Sequence, residues 1–272
     1  MEQESRTAQG LRAAAAPSPG FEVSAFAGIW VREWVLFRRL WRSTTFSSIV
    51  EPTIYLLAFG FGLGGIITEI DGLSYVEYVG TGTVASAVLF SSVFAAMFNT
   101  FVKREFLKTY DAILATPVNV REVMAAEASW LALKAGVYGN APLLVAMAFG
   151  LQPRPTMVLI PFIGALTGLG FAFLGQWISA IVPSIDSFNY VTSAVVTPLF
   201  LLAGTFFPLS NFPPAVQTLA QFNPLYHCVE LVRHASFGLE PATDLFHTAF
   251  LIVFAAIAAA LSIRASYRKL ID

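Results

Sequence analysis

The stretch KREFLKTYDAILATPVNVREV, residues 103–123, decides how this chain is read. It is the longest polar interruption between hydrophobic segments in the first half of the chain, with two long apolar runs before it and four after it. It carries Lys103, Arg104, Lys108 and Arg121, with Glu105, Asp111 and Glu122 among them. A loop this basic between two membrane spans stays on the cytoplasmic side, because positive charge is retained there during insertion. From 105 to 115 the spacing predicts a helix, with Phe106, Tyr110, Ile113 and Leu114 on one face. Thr116-Pro117 then ends it. Held parallel to the membrane, such a helix offers a partner a surface to push on. The plainer alternative is a solvated loop lying on lipid headgroups.

Composition fixes the class. Of 272 residues, 56% are hydrophobic and 12% charged, with mean hydropathy +0.68. Soluble domains carry about 25% charged residues, so the chain reads as an all-α integral membrane protein. A net charge of −1 gives nucleic acid no purchase. The single cysteine, Cys228, excludes an internal disulfide and a cysteine metal cluster. Residues 1–24 lack the basic start and apolar run of a signal peptide and read as a disordered cytoplasmic tail.

From 25 to 42, Trp30, Trp34, Phe37 and Trp41 recur at spacings of four, three and four, with Arg32, Arg38, Arg39 and Arg42 on the other faces. This pattern predicts an amphipathic helix lying in the headgroup layer. Six candidate spans of the required length, roughly 20 residues, follow at 49–67, 79–101, 125–149, 157–182, 188–207 and 245–263. Lysine and arginine then sort by side. Arg32, Arg38, Arg39 and Arg42, the four cations of 103–123, and Arg264, Arg268 and Lys269 stand against Arg154 and Arg233 alone. That asymmetry predicts both termini in the cytoplasm.

Gly60 with Gly64, and Gly164 with Gly168, have the four-residue spacing that lets helix backbones approach, within one subunit or at a dimer face. Residues 209–238 contain two proline-started segments, each too short to span. Asn211 and Asn223 are the candidate caps. They predict two re-entrant or interfacial helices on the outer side before the last span, where irregular backbone needs shielding.

Catalytic motifs are scarce. No glycine loop ends in Lys-Ser or Lys-Thr, so ATP cannot be held in the P-loop manner, and there is no G-x-S-x-G elbow. His227, Glu230 and His234 fall on one helix face, as metal ligands would, but a polar face beside Arg233 explains them more simply. Glu127 and Lys134 lie two turns apart on the third span and either bridge part of that gap or leave Glu127 in the interface. No pair of carboxylates lies deep in two different spans, which speaks against proton coupling. Aromatics crowd spans 1 and 5: Tyr55, Phe59 and Phe61, then Tyr190, Phe200, Phe206 and Phe207. They suit sugar rings, lipid chains or flat drugs as well as ordinary packing.

Four stretches carry a family resemblance: VEPTIYLLAFGFGLGG (50–65), YVEYVGTG (75–82), YDAILATPVNVREVMAAEASWLALKAG (110–136) and NPLYHCVELVRHASFG (223–238). From Glu33 to the C terminus the chain resembles the membrane subunit of an ABC-2 type exporter, and within that family the nodulation protein J type of lipo-oligosaccharide exporter. The resemblance implies a homodimer, or a pair with a related permease, of six-span subunits in the cell membrane. Two cytoplasmic ABC ATPase subunits would bind the ATP and Mg; this chain would hold no cofactor and no catalytic site. It implies that the interface helix, through Trp34, Arg38 and Arg39, and the organising loop, through Glu105, Tyr110, Asp111, Arg121 and Glu122, touch the ATPases. It also implies that Tyr55, Phe59, Tyr190, Phe200, Phe206 and Phe207 line a path for an amphipathic substrate, a lipid-linked or lipid-modified saccharide. Multidrug or antibiotic efflux is the alternative within transport. A membrane-embedded transferase acting on lipid-linked sugars is the alternative of another class, and it needs His227 and Glu230 to converge.

Overall fold

The computed structural model describes residues 20–67, 69–70 and 72–271, without the side chains of 47–49, 51, 52 and 61. Most of the tail reading, and those placed on Glu51, Pro52 and Phe61, lie outside the described residues or side chains.

The first helix, α1, runs unbroken from Val23 to Gly62. The sequence predicts two elements there, an interface helix at 25–42 and a span at 49–67. They are one helix because the junction, 43–48, holds no glycine or proline to break it, and Ser43 returns its hydroxyl to the Leu40 carbonyl at 3.0 Å. At 1.5 Å per residue α1 is about 60 Å long, twice a hydrocarbon core of about 30 Å. A small hairpin follows, which an all-α reading misses. Strands β1 (Glu69–Ile70) and β2 (Leu73–Ser74) pair antiparallel, with Gly72 at φ +78° between them. Ser74 then opens α2 (Tyr75–Glu105) through a capping box with Glu77.

The organising loop holds α3 (Thr109–Leu114) rather than the helix predicted over 105–115. Helix α2 uses the chain as far as Glu105, and Lys108 at φ +50° breaks the path before α3 starts. The third predicted span, 125–149, is α4 (Val120–Tyr138) and α5 (Ala141–Ala148), interrupted at Gly139-Asn140. A 3-10 turn, Pro155–Leu159, leads into α6 (Ile160–Ile181). The predicted fifth span, 188–207, is shorter: α7 (Ser187–Val191), a π turn (Thr192–Val196) and α8 (Thr197–Leu201). Pro198 has no N–H to give the carbonyl four residues back, which disturbs the ladder, and Gly204 at φ +76° turns the chain away. Two short helices do follow, α9 (Pro214–Ala220) and α10 (Pro224–Phe237). Asn223 caps α10 by accepting from the Leu225 N–H at 3.0 Å. Asn211 caps nothing; it ends a 3-10 turn, and Pro213 stands at the start of α9. The last helix is α11 (Pro241–Ile271).

Among the described residues four helical segments are long and apolar enough to cross a membrane: Tyr75–Glu105, Val120–Ala148, Pro155–Ile181 and Pro241–Ile271. The chain is therefore a mostly helical membrane protein, and four of the predicted spans meet this measure of length and apolarity among the described residues.

Helix α6 is the centre of the bundle, packed on α2, α4 and α11. Its glycines make this possible. A Cβ on Gly175 would stand 2.6 Å from the Val93 carbonyl of α2, one on Gly168 2.6 Å from Ala135 Cβ of α4, and one on Gly170 2.5 Å from Phe254 of α11. Each of three neighbours thus comes nearer than any side chain on α6 would allow.

Candidate functional site

Helices α1, α2, α3 and α4 meet around one buried carboxylate. Glu127, on α4, accepts from Lys103 Nζ at 2.8 Å and from the Tyr110 hydroxyl at 2.7 Å. Lys103, near the end of α2, also donates to Glu33 of α1 at 2.8 Å, and Arg32 lies 3.5 Å from Glu127. Five side chains from four helices therefore form one charged network. Burying these charges is tolerable only because each is paired and hydrogen-bonded. Burial, and then the Glu127 charge, hold the Tyr110 phenol well above the ordinary tyrosine value, so it remains a donor. The sequence leaves Glu127 either bridging part of the gap to Lys134 or staying in the interface; the structure pairs it with Lys103 and Tyr110, because α2 and α3 bring those groups closer than two turns of α4.

A second clamp lies at the starts of α1 and α4. Glu122 is fully buried, accepts the Asn119 N–H at 2.7 Å within its own capping box, and accepts the Glu22 N–H at 2.7 Å. One carboxylate thus satisfies free amides at two helix N-termini, where negative charge is favoured. The aromatic face of α1 completes the junction. Trp130 of α4 meets Trp30, Trp34 and Phe37 edge-on at centroid distances of 5.3, 6.1 and 5.9 Å. Trp30 donates its indole N–H to Ser129 at 2.8 Å. Such edge-to-face pairs add about 0.5–1.5 kcal/mol each beyond area burial.

The predicted contact residues divide accordingly. Tyr110 and Glu122 are internal struts. Glu105, half-buried, is taken by Arg104 at 2.9 Å. Asp111, Arg121, Arg38, Arg39 and Trp34 are exposed. Phe106 and Leu107, each 66% exposed, stand beside Asp111 on the same loop. The helical face assigned to Phe106 from the sequence does not form, because Phe106 belongs to the end of α2. Glu33, Lys103 and Trp130 are the members that sequence reasoning passes over as partners. The only signal for Trp130 is that three aromatics on one face of α1 need a receiving surface.

The predicted path aromatics also divide. Tyr55 stacks near Phe59 at 6.5 Å, Phe59 meets Phe206 at 4.4 Å, Phe206 meets Phe200 at 5.4 Å, and Phe90 extends the run at 5.0 Å from Phe200. Tyr190 and Phe207 stand apart, 79% and 45% exposed. The paired glycines are used within the chain. Gly164 and Gly168 face α4, while the Gly64 N–H closes the end of α1 on the Gly60 carbonyl at 3.1 Å.

At the far end of the bundle, His227 sits between the Gln221 carbonyl (2.8 Å) and His247 (2.6 Å). Glu230 instead turns to Arg233 at 3.4 Å, and His234 to Asp244 at 2.6 Å. His227 and Glu230 therefore have separate partners. No three His, Cys, Asp or Glu side chains among the described residues converge as metal ligands would. Arg233 is fixed over the Tyr78 ring at 3.8 Å and donates to the Gly204 carbonyl at 2.7 Å, which ties α10 to α2 and to the turn after α8.

Residues 24–237 match the ABC-2 type transporter family. The chain belongs to that family. It is 31% identical to nodulation protein J of Rhizobium leguminosarum bv. trifolii over 254 residues, 93% of this chain and 96% of the relative. It is 30% identical to nodulation protein J of Sinorhizobium fredii over 90% of this chain and 93% of the relative. The inner membrane transport permease YadH of Escherichia coli K12 is 24% identical over 85% and 90%. ABC-2 permeases are transport subunits that work with an ABC ATPase. The four-helix junction around Glu127 lies wholly inside the matched region.

Proposed function

We propose that this chain is the membrane-spanning permease of an ATP-driven exporter, moving an amphipathic substrate out of the cytoplasm or inner leaflet. The observation that carries the mechanism is the Glu127 network, which locks the exposed loop at Asp111 to α1, α2 and α4. In this reading two ATPase subunits dock on the exposed loop and on the arginine face of α1. Their closure, driven by the ATP and Mg they bind, pushes α3. Because Tyr110 and Lys103 tie α3 and α2 to Glu127, the push reaches α4 and α1 as one body. The second half of α1 and the short helix at Ser187–Leu201 complete six spans, with both termini cytoplasmic, as the positive charges on 103–123 and on the tail favour. The short helices α9 and α10 are re-entrant or interfacial on the outer side.

The substrate reading is a lipid-linked or lipid-modified saccharide. Its support is the likeness to nodulation protein J along nearly the whole chain and the run Tyr55, Phe59, Phe206, Phe200, whose faces suit sugar rings and acyl chains. A second copy of the chain, or a related permease, supplies the other wall. Asp111→Arg tests the coupling. Its side chain is exposed and forms no part of the network, so the variant is expected in the membrane at normal level with transport lost. Normal export by that variant would remove the loop from the mechanism.

A further inference from the structure

Two adjoining clefts flank α11 at the end of the bundle that carries the organising loop. One, about 460 Å³, lies between α6 and α11, with walls of Trp177, Ile181 and Leu261 and with Arg264, Arg268 and Lys269 around it. The other, about 410 Å³, shares Arg264 and Arg268 and adds Arg121 of α4. Leu261, Arg264 and Arg268 recur at spacings of three and four, which places apolar and cationic groups in sequence along one face of α11. None of the four cations has an ion pair or hydrogen bond among the described residues, whereas Arg32, Lys103, Arg104 and Arg233 all have carboxylate partners. The nearby carboxylate of Glu105 is held by Arg104 and also attracts Lys269, which leaves the arginines. Arg121, Arg264 and Arg268 line one cleft with no carboxylate in its walls, so an anion seated there would be attracted by all three.

The walls say which anion. Ile181 is 55% and Leu261 40% exposed, about one turn inward from the first arginine. An inorganic phosphate would leave them bare; an acyl chain would cover them. Basic pockets between spanning helices at the cytoplasmic face bind anionic lipid headgroups. We propose that this double cleft binds an anionic phospholipid of the cytoplasmic leaflet, its phosphate on Arg264 and Arg268 and its acyl chain along Leu261, Ile181 and Trp177. The inference rests on the reading that α11 crosses the bilayer with its C terminus in the cytoplasm.

The test uses the full chain reconstituted in vesicles with spin-labelled phosphatidylglycerol or phosphatidylcholine. One cation near an anionic headgroup strengthens binding about fivefold. The wild type is expected to hold phosphatidylglycerol at least about fivefold over phosphatidylcholine. R264Q/R268Q/K269Q should abolish that preference, and R264K/R268K and R38Q/R39Q should keep it. The conservative pair serves as the charge test if the triple variant fails to fold: losing the preference there would overturn the proposal. So would no preference in the wild type, full preference in a folded triple variant, or displacement of the lipid by inorganic phosphate. A triple variant that keeps lipid preference but no longer captures an ATPase would assign the clefts to a protein partner and overturn it too. A C-terminal tag reachable only from outside would refute the orientation, and the lipid preference would still be read independently.

Discussion

Replacing Tyr110 by phenylalanine removes one oxygen and keeps the ring. The ring is 1% exposed, and its hydroxyl donates to Glu127 at 2.7 Å. Hydrogen bonds to charged groups contribute about 1.5–3 kcal/mol, and a buried acceptor left without its donor loses that. Glu127 keeps Lys103 and Arg32 on its other oxygen, which places the expected cost near the middle, about 2 kcal/mol. For a chain of this size that lowers the melting temperature by about 4 °C. The phenol's raised pKa gives the pH window. Its folded value lies above its unfolded value, so its contribution is complete below pH 10.0 and is lost as pH rises through the folded value. The wild-type advantage over Tyr110→Phe should therefore be flat across neutral pH and shrink only in strong base. Thermal unfolding of both proteins in one detergent measures the first effect. Transport per ATP hydrolysed, in vesicles with the ATPase partner, measures the second, and it should fall in the variant while hydrolysis continues. Equal melting temperatures together with equal coupling would refute the claim that α3 is held through Glu127.

Three further substitutions probe the frame around that junction. Gly175→Ala places a Cβ 2.6 Å from the Val93 carbonyl and 2.7 Å from Ala96 Cβ, and overpacking of this kind costs about 1–3 kcal/mol. Gly62→Ala meets nothing within 4 Å and should melt like the wild type, so equal melting of the two variants would contradict the tight α6–α2 contact. Trp130→Ala removes the ring held by Trp30, Trp34 and Phe37; losing a buried tryptophan costs about 3–5 kcal/mol. Hydrogen exchange over 23–40 should rise in that variant while exchange in α6 stays low, and uniform protection would show that α1 is held some other way.

The sequence made the membrane class, the basic loop and the proline-started pair at 214 and 224 legible, because each depends on local composition or on a cap. Asn223 illustrates the local kind: its cap is read from Asn-Pro and is found. The continuity of α1 was less legible, since a change of amphipathicity near 43 marks a change of surroundings and not a helix end. The shortening of the fifth span needed Pro198 to be weighed against an apolar run that continues to Phe207. The coupling network was hidden for a different reason. Glu33, Lys103, Tyr110 and Glu127 span nearly a hundred residues, and nothing local tells Glu127 to prefer Lys103 over Lys134. Glu122 looked like a surface charge in a basic loop, yet it is buried, because the N-termini of two helices converge on it.

The most direct measurement places a photo-crosslinking amino acid at Leu107, an exposed position beside Asp111 on the same loop, in cells that carry the native partner. Illumination followed by mass spectrometry of the adduct identifies the neighbour. The account predicts a covalent link to a soluble P-loop ATPase, lost when Asp111 and Arg121 are both reversed in charge. Adducts with lipid alone, in membranes where the ATPase is present and transport is active, would contradict it.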